Sequence, residues 1–241
     1  MPFLIFIIAL LYAAVGLGGG SGYLALMGLF NVDPDVMKPT ALALNILVTT
    51  IGTYKYSRAG YFSWKLFWPF AITSIPFAFL GGRLNLNGDI YKGIVGILLL
   101  YAATRLYTTA RAAEEKTILP PSLWAALFSG AIIGFIAGIT GVGGAIFLSP
   151  LILLAGWATP KETAGVATVF VLTNSISGLA GYWSNTFNLP SEIIYWGIAV
   201  ILGGWIGAEY GSRKLPDPII RQALAAILLL GGIKMLFSAL G

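Results

Sequence analysis

Gly18, Gly19 and Gly20 stand together and are followed by Ser21, and Gly141, Gly143 and Gly144 stand together just after Thr140. Glycine lets backbone N–H groups approach a ligand with no side chain in the way. A helix that begins just after such a run aims its free N–H groups and the positive end of its dipole at the same spot. The chemistry on offer is anion binding, with Ser21 and Thr140 as hydroxyl donors. More polar groups follow in the next apolar stretches: Asn45, Thr49 and Thr50 in one, and Thr168, Thr173, Asn174 and Ser175 in the other. Asn45, Thr49 and Gly52 are spaced by four and three and share one helical face. A threonine or serine can satisfy itself on its own helix. An amide carries several groups needing partners, so Asn45 and Asn174 weigh more.

The elements that must position these residues are membrane spans. Of the 241 residues, 58% are hydrophobic and 10% charged, against about 25% charged in soluble domains, and the mean hydropathy is +0.87. Apolar segments recur from end to end, leaving no part for a sizeable soluble domain. With no cysteine and no histidine, disulfides, thiolate metal sites, imidazole-ligated haem and histidine-based catalysis or proton switching are excluded. Nothing in the sequence asks for a cofactor or a metal. The net charge of +5 comes from cations too sparse for a nucleic-acid stripe, so no nucleic-acid partner is expected. Residues 2 to 15 have no basic n-region and recur in pattern later in the chain, so they read as retained structure rather than a signal peptide.

The chain is written twice. A slide of 126 residues puts Pro34 on Pro160, Thr49 on Ser175, Gly52 on Gly178, Tyr56 on Tyr182, Tyr61 on Phe187 and Gly81 on Gly207. Residues 1–109 form one membrane repeat, 110–121 a polar linker and 122–241 the second repeat. The first repeat offers a broken segment at 2 to 31, then continuous ones at 38 to 57, 64 to 82 and 91 to 109. The second offers 122 to 157, then 163 to 184, 191 to 212 and 218 to 240. Each continuous segment has about the 20 residues that cross a hydrocarbon core. Residues 23 to 31 would reach only roughly 14 Å, so the broken segment is expected to enter and turn back. The expected fold is an all-α integral membrane protein of two inverted repeats, each with one Gly-broken segment, re-entrant or short-helix, plus three transmembrane helices. Lys38, Arg83, Lys92 and Lys234 fall on one side. The other ten Lys and Arg, including Lys55, Arg58, Arg105, Lys161 and Arg213, fall opposite. The positive-inside bias then makes the linker 110–121 cytoplasmic and puts both termini outside the cell membrane.

Non-helical backbone at membrane depth is tolerated only where protein or a water-filled cavity surrounds it, and matching interruptions in two inverted halves point to a transporter's binding site. The site reading comprises Gly18, Gly19, Gly20, Ser21, Asn45, Thr49, Thr140, Gly141, Gly143, Gly144, Thr168 and Asn174. Gly81-Gly82, Gly203-Gly204 and Gly231-Gly232 read instead as close helix contacts. Lys55, Arg58, Arg105 and Arg213 read as cations snorkelling at the interface. No Asp or Glu falls mid-segment, so no proton relay is evident.

These residues carry a resemblance. The Gly-rich run followed by "LALMGLFNVDP", the stretch "TALALNILVTTIGTYKYSRAGYFSW", and the second copy "GVGGAIFLSPLILLAGWATPKETAGVATVFVLTNSISGLAGYW" are similar to the sulfite exporter TauE/SafE family over nearly the whole chain. The resemblance implies two modules of about three transmembrane helices and movement of sulfite, sulfoacetate and related anions across the plasma membrane. It supports Gly18, Gly19, Gly20, Gly141, Gly143, Gly144 and Pro150 as signature positions. The first half has Ala25 to Gly28 where Pro150 would have its counterpart, so the two breaks need not be equal. The expected function is export of a small sulfur-containing anion, with the lipid bilayer as the other partner and the oligomeric state open. Alternatives are an anion channel without alternating access, and a carrier of another small organic anion. An intramembrane enzyme lacks a nucleophile with its base.

Overall fold

The computed structural model describes residues 1–109, 119–182, 189–214 and 218–240. Residues 110–118, most of the expected linker, and Phe187 lie outside the described residues. The described residues are helical, with no strand among them. The helices are α1 (Pro2–Ala14), α2 (Gly20–Leu29), α3 (Pro34–Arg58), α4 (Trp64–Arg83), α5 (Gly88–Thr109), α6 (Leu123–Thr140), α7 (Ala145–Ala155), α8 (Pro160–Tyr182), α9 (Ile193–Arg213) and α10 (Pro218–Leu240).

Local chemistry sets these limits. α3 starts at Pro34, where a missing N–H costs nothing, and Asp33 Oδ1 accepts from the Asp35 N–H at 3.0 Å as its cap. The helix therefore begins four residues before the expected 38, and α8 begins at Pro160, three before the expected 163. Ser122 Oγ accepts from the Ala125 N–H at 3.2 Å to start α6. α6 then runs through Gly130, Gly134 and Gly138 to end against Gly141 in the left-handed conformation. The first apolar stretch divides into α1 and α2 around residues 15–19, and the stretch from 123 divides into α6 and α7 around 141–144.

Among the described residues four helices are long and apolar enough to cross a membrane: Pro34–Arg58, Leu123–Thr140, Pro160–Tyr182 and Ile193–Arg213. At 18 residues α6 is one of them, longer than the short pieces expected on either side of a break. Large apolar side chains face outward, among them Trp64, Trp124, Phe128, Ile198, Leu202 and Phe237. Polar ones such as Asn45, Thr49, Ser74 and Asn174 are buried. An exterior this apolar has no stable place in water, and the protein is membrane-embedded.

The closest helix pairs join the two halves of the chain: α4 with α6, α1 with α9, and α5 with α10. Gly130, Gly134 and Gly138 lie against the backbone of Phe70, Ser74 and Ala78. Gly203, Gly207 and Gly211 lie likewise against Phe6, Leu10 and Ala14. Numbers rise together in both sets, so each pair is parallel. At these spacings of four a side chain would occupy the space the neighbouring backbone fills, the small-residue stripe of membrane helix packing. α2 lies along α10, with Ala25 by Gly231 and Gly28 by Met235. α5 opposes α10, with Gly93 by Ala239 and Gly96 by Leu236.

Candidate functional site: the meeting of the two glycine runs

α3 and α8 cross at the centre, where Gly52 abuts Thr168 and Gly178 faces Leu42. Both glycine runs lie against this crossing. Asn45, 0% exposed, ties them together: its Oδ1 accepts from the Gly19 N–H at 3.1 Å and its Nδ2 donates to the Gly141 carbonyl at 3.4 Å. A Cβ on Gly20 would lie 2.5 Å from Asn45 Nδ2 and 2.7 Å from the Val142 carbonyl oxygen, so the first turn of α2 sits directly on the second run. Gly18 (φ +78°) and Gly143 (φ +86°) both face Val171 and Asn45. Their backbone conformation strains any L side chain. Each helix that follows a run starts buried and without a side-chain cap, α2 at Gly19 and α7 at Gly144. Two buried helix N-termini, each offering first-turn N–H groups, are what an oxyanion can use.

The residues singled out in sequence do not all converge. Gly18, Gly19, Gly20, Asn45, Gly141 and Gly143 are in mutual reach, with the Thr49 methyl beside Gly18 and Ser175 beside Gly143. The Thr49 hydroxyl bonds back to the Asn45 carbonyl at 2.6 Å. Thr168 donates within its own helix to Ala164 and also lies 3.2 Å from the Gly16 carbonyl, on the first run. Thr140 Oγ1 bonds back to Ile136 at 2.7 Å. Ser21 Oγ donates to Tyr12 Oη at 2.9 Å. Gly144 faces Ile133 and Phe170 rather than Asn45. Asn174 Oδ1 accepts from Ser74 Oγ on α4 at 2.7 Å, and its Nδ2 is buried without a partner, as is Ser175 Oγ.

Two features went unread in the sequence. Lys38, counted there as an outer charge, is buried. Its Nζ donates to the carbonyls of Gly81 at 3.3 Å, Gly82 at 2.9 Å and Leu84 at 2.9 Å, capping the C-terminus of α4, and lies over the Tyr182 ring at 5.2 Å. Across the crossing, at a slide of 126 residues, stands Ala164, and there a narrow cleft opens, reaching from Val15 and Leu17 to Arg105, Ser149, Pro150 and Thr163. Lys55, read as a snorkelling cation, pairs with Glu209 at 2.6 Å and covers Trp205 at 3.8 Å. Arg213 pairs with the same carboxylate.

The family model described as Sulfite exporter TauE/SafE matches residues 1–235. A protein of Sinorhizobium fredii named "Probable membrane transporter protein y4hK" is 42% identical over 96% of this chain and 95% of its own. A "Probable membrane transporter protein" of Methanocaldococcus jannaschii is 28% identical over 98% of this chain and 95% of its own. "Probable membrane transporter protein YjnA" of Bacillus subtilis is 26% identical over 94% of each chain. No solved structure matches the chain. With a family model spanning nearly its whole length and relatives that share its full extent, the chain belongs to the sulfite exporter TauE/SafE family of membrane transporters.

Proposed function

We propose that the protein carries small sulfur-containing anions, such as sulfite or organosulfonates, across the cell membrane, binding them at the midplane where the two glycine runs meet. The observation that carries this reading is the Asn45 amide, held by both runs at once beside two buried, uncapped helix starts. Gly18, Gly19, Gly20, Gly141, Gly143 and Gly144 let the anion reach backbone N–H groups. Asn45, Thr49 and Thr168 form the polar surround beside the runs, backed by Ser21, Thr140 and Asn174, whose hydrogen bonds run to Tyr12, Ile136 and Ser74. An anion with several acceptor oxygens suits converging N–H, hydroxyl and amide donors. The family description supplies the choice of sulfite.

In this reading residues 1–109 and 122–241 are two inverted repeats, joined by a cytoplasmic linker at 110–121, with both termini outside. Helix directions support it. α1 lies parallel to α9, and α9 parallel to α3, through Gly204 by Val48 and Gly211 by Tyr56. α3 and α5 begin at the same end, where Gly88 meets Pro34, and α2 follows α10, which opposes α5. These directions have α2 turning back on α1, which supports a re-entrant pair with the first run at its tip, and the repeat extends the same reading to α6 and α7. Transport proceeds by one repeat rocking or gating against the other around the runs.

The test is flux through the purified protein in liposomes over a panel of sulfite, sulfate, sulfoacetate, taurine and simple carboxylates. Saturable sulfite or sulfonate flux with counter-transport is expected. Non-saturating flux without counter-transport replaces the carrier with a channel, and failure of every sulfur anion overturns the substrate class.

A further inference from the structure

The cleft beside the runs holds two side chains that the packing of the protein leaves unsatisfied. Ser149 on α7 is 9% exposed and Thr163 on α8 is 2% exposed, and both line the cleft. Neither hydroxyl oxygen has a hydrogen-bond partner. Buried hydroxyls are almost always paired, and two unpaired ones facing a single opening point to a ligand that pairs them. Arg105 lines the same opening. Positive charge with hydroxyl donors selects an anion over a cation. Val15 and Leu17, which lead into the first run, also line it.

We propose that this cleft is a second anion-binding station, adjoining the glycine runs on the side of Arg105, where an oxyanion with a sulfite or sulfonate head is held by the Arg105 guanidinium and the Ser149 and Thr163 hydroxyls. The station rests on the transport reading and extends it: it is the place from which the anion reaches the runs or leaves them. On the opposite side the equivalent opening is smaller and is lined by Lys38, whose ammonium is engaged by three carbonyls, so the paired arrangement of arginine and free hydroxyls belongs to one face of the protein.

The chain has no cysteine, so Thr163→Cys and Ser149→Cys each create a single thiol. Each variant, purified in detergent, is treated with an anionic sulfonatoethyl thiosulfonate and with a cationic trimethylammonium thiosulfonate of similar size, with and without sulfoacetate. The anionic reagent is expected to react faster, and adding Arg105→Gln is expected to lower the anionic-to-cationic rate ratio at least about tenfold. Sulfoacetate is expected to slow labelling in a saturable way. A ratio unmoved by Arg105→Gln, or labelling indifferent to sulfoacetate in both cysteine variants, overturns the station. Sulfite flux through the unsubstituted protein in liposomes separates the two ideas. Flux without protection removes the station alone, whereas absence of flux for every sulfur anion removes the transport reading on which it rests.

Discussion

Asn45→Ala is the sharpest perturbation of the site, because one amide holds both runs. The variant strips the Gly19 N–H of its acceptor and the Gly141 carbonyl of a donor. An orphaned buried N–H costs about 1–3 kcal/mol. The Gly141 bond is long at 3.4 Å, and interhelical bonds in membrane proteins average about 0.6 kcal/mol. The sum is a loss of about 1.5–3.5 kcal/mol, concentrated where α2 meets the second run. Two measurements read it. Unfolding in mixed micelles should shift by that amount, and amide exchange at Gly19 should accelerate about 10- to 300-fold, since about 1.4 kcal/mol is tenfold. Flux should fall with it. Thr50→Ala is the control, because Thr50 Oγ1 only bonds back to Ile46 at 2.7 Å on an exposed face; it should change stability by less than about 0.5 kcal/mol. If Asn45→Ala behaves like Thr50→Ala in all three measurements, the amide does not hold the runs together and the site as described is wrong.

Lys38→Met removes three ammonium–carbonyl bonds while keeping the length of the stem. The cost should be about 1–3 kcal/mol after the relief of ammonium desolvation is set against the lost bonds, read as faster amide exchange from Gly82 to Leu86 with little change at Gly19. Gly207→Val places a branched side chain on the Leu10 backbone. It should cost about 3 kcal/mol or more and show as loss of monodisperse protein after solubilisation. Gly197→Ala on the same helix meets only Leu47 Cδ1 at 3.4 Å and should be neutral or stabilising by up to about 1 kcal/mol.

What could be read from sequence was what backbone chemistry dictates. Glycine runs bracketed by apolar segments announced where the helices stop, and α2 and α7 begin at Gly20 and Ala145. Asn45 could be singled out because a buried amide must find partners. Pairings across the fold were not legible. The threonine hydroxyls at 49 and 140 bond to their own helices, and Asn174 reaches α4; residue type and spacing predict a polar face without saying what meets it. Lys38 gave the same signal as an interfacial lysine, because the carbonyls that bury it lie on the next helix. Ser149 and Thr163 looked like ordinary small residues until the structure placed both at one opening beside Arg105.

The stripes of glycine that lock α1 to α9 bear on how the chain is made. α1 is synthesised well before the helix it packs on most closely, which begins only at Ile193. With 13 residues it measures about 20 Å, well short of a hydrocarbon core of about 30 Å. The growing chain therefore carries an undersized α1 without its main partner until α9 has been made. Any product terminated before α9 leaves α1 with the surface that receives α9 bare, so a nonsense mutation far downstream also undoes the packing of α1.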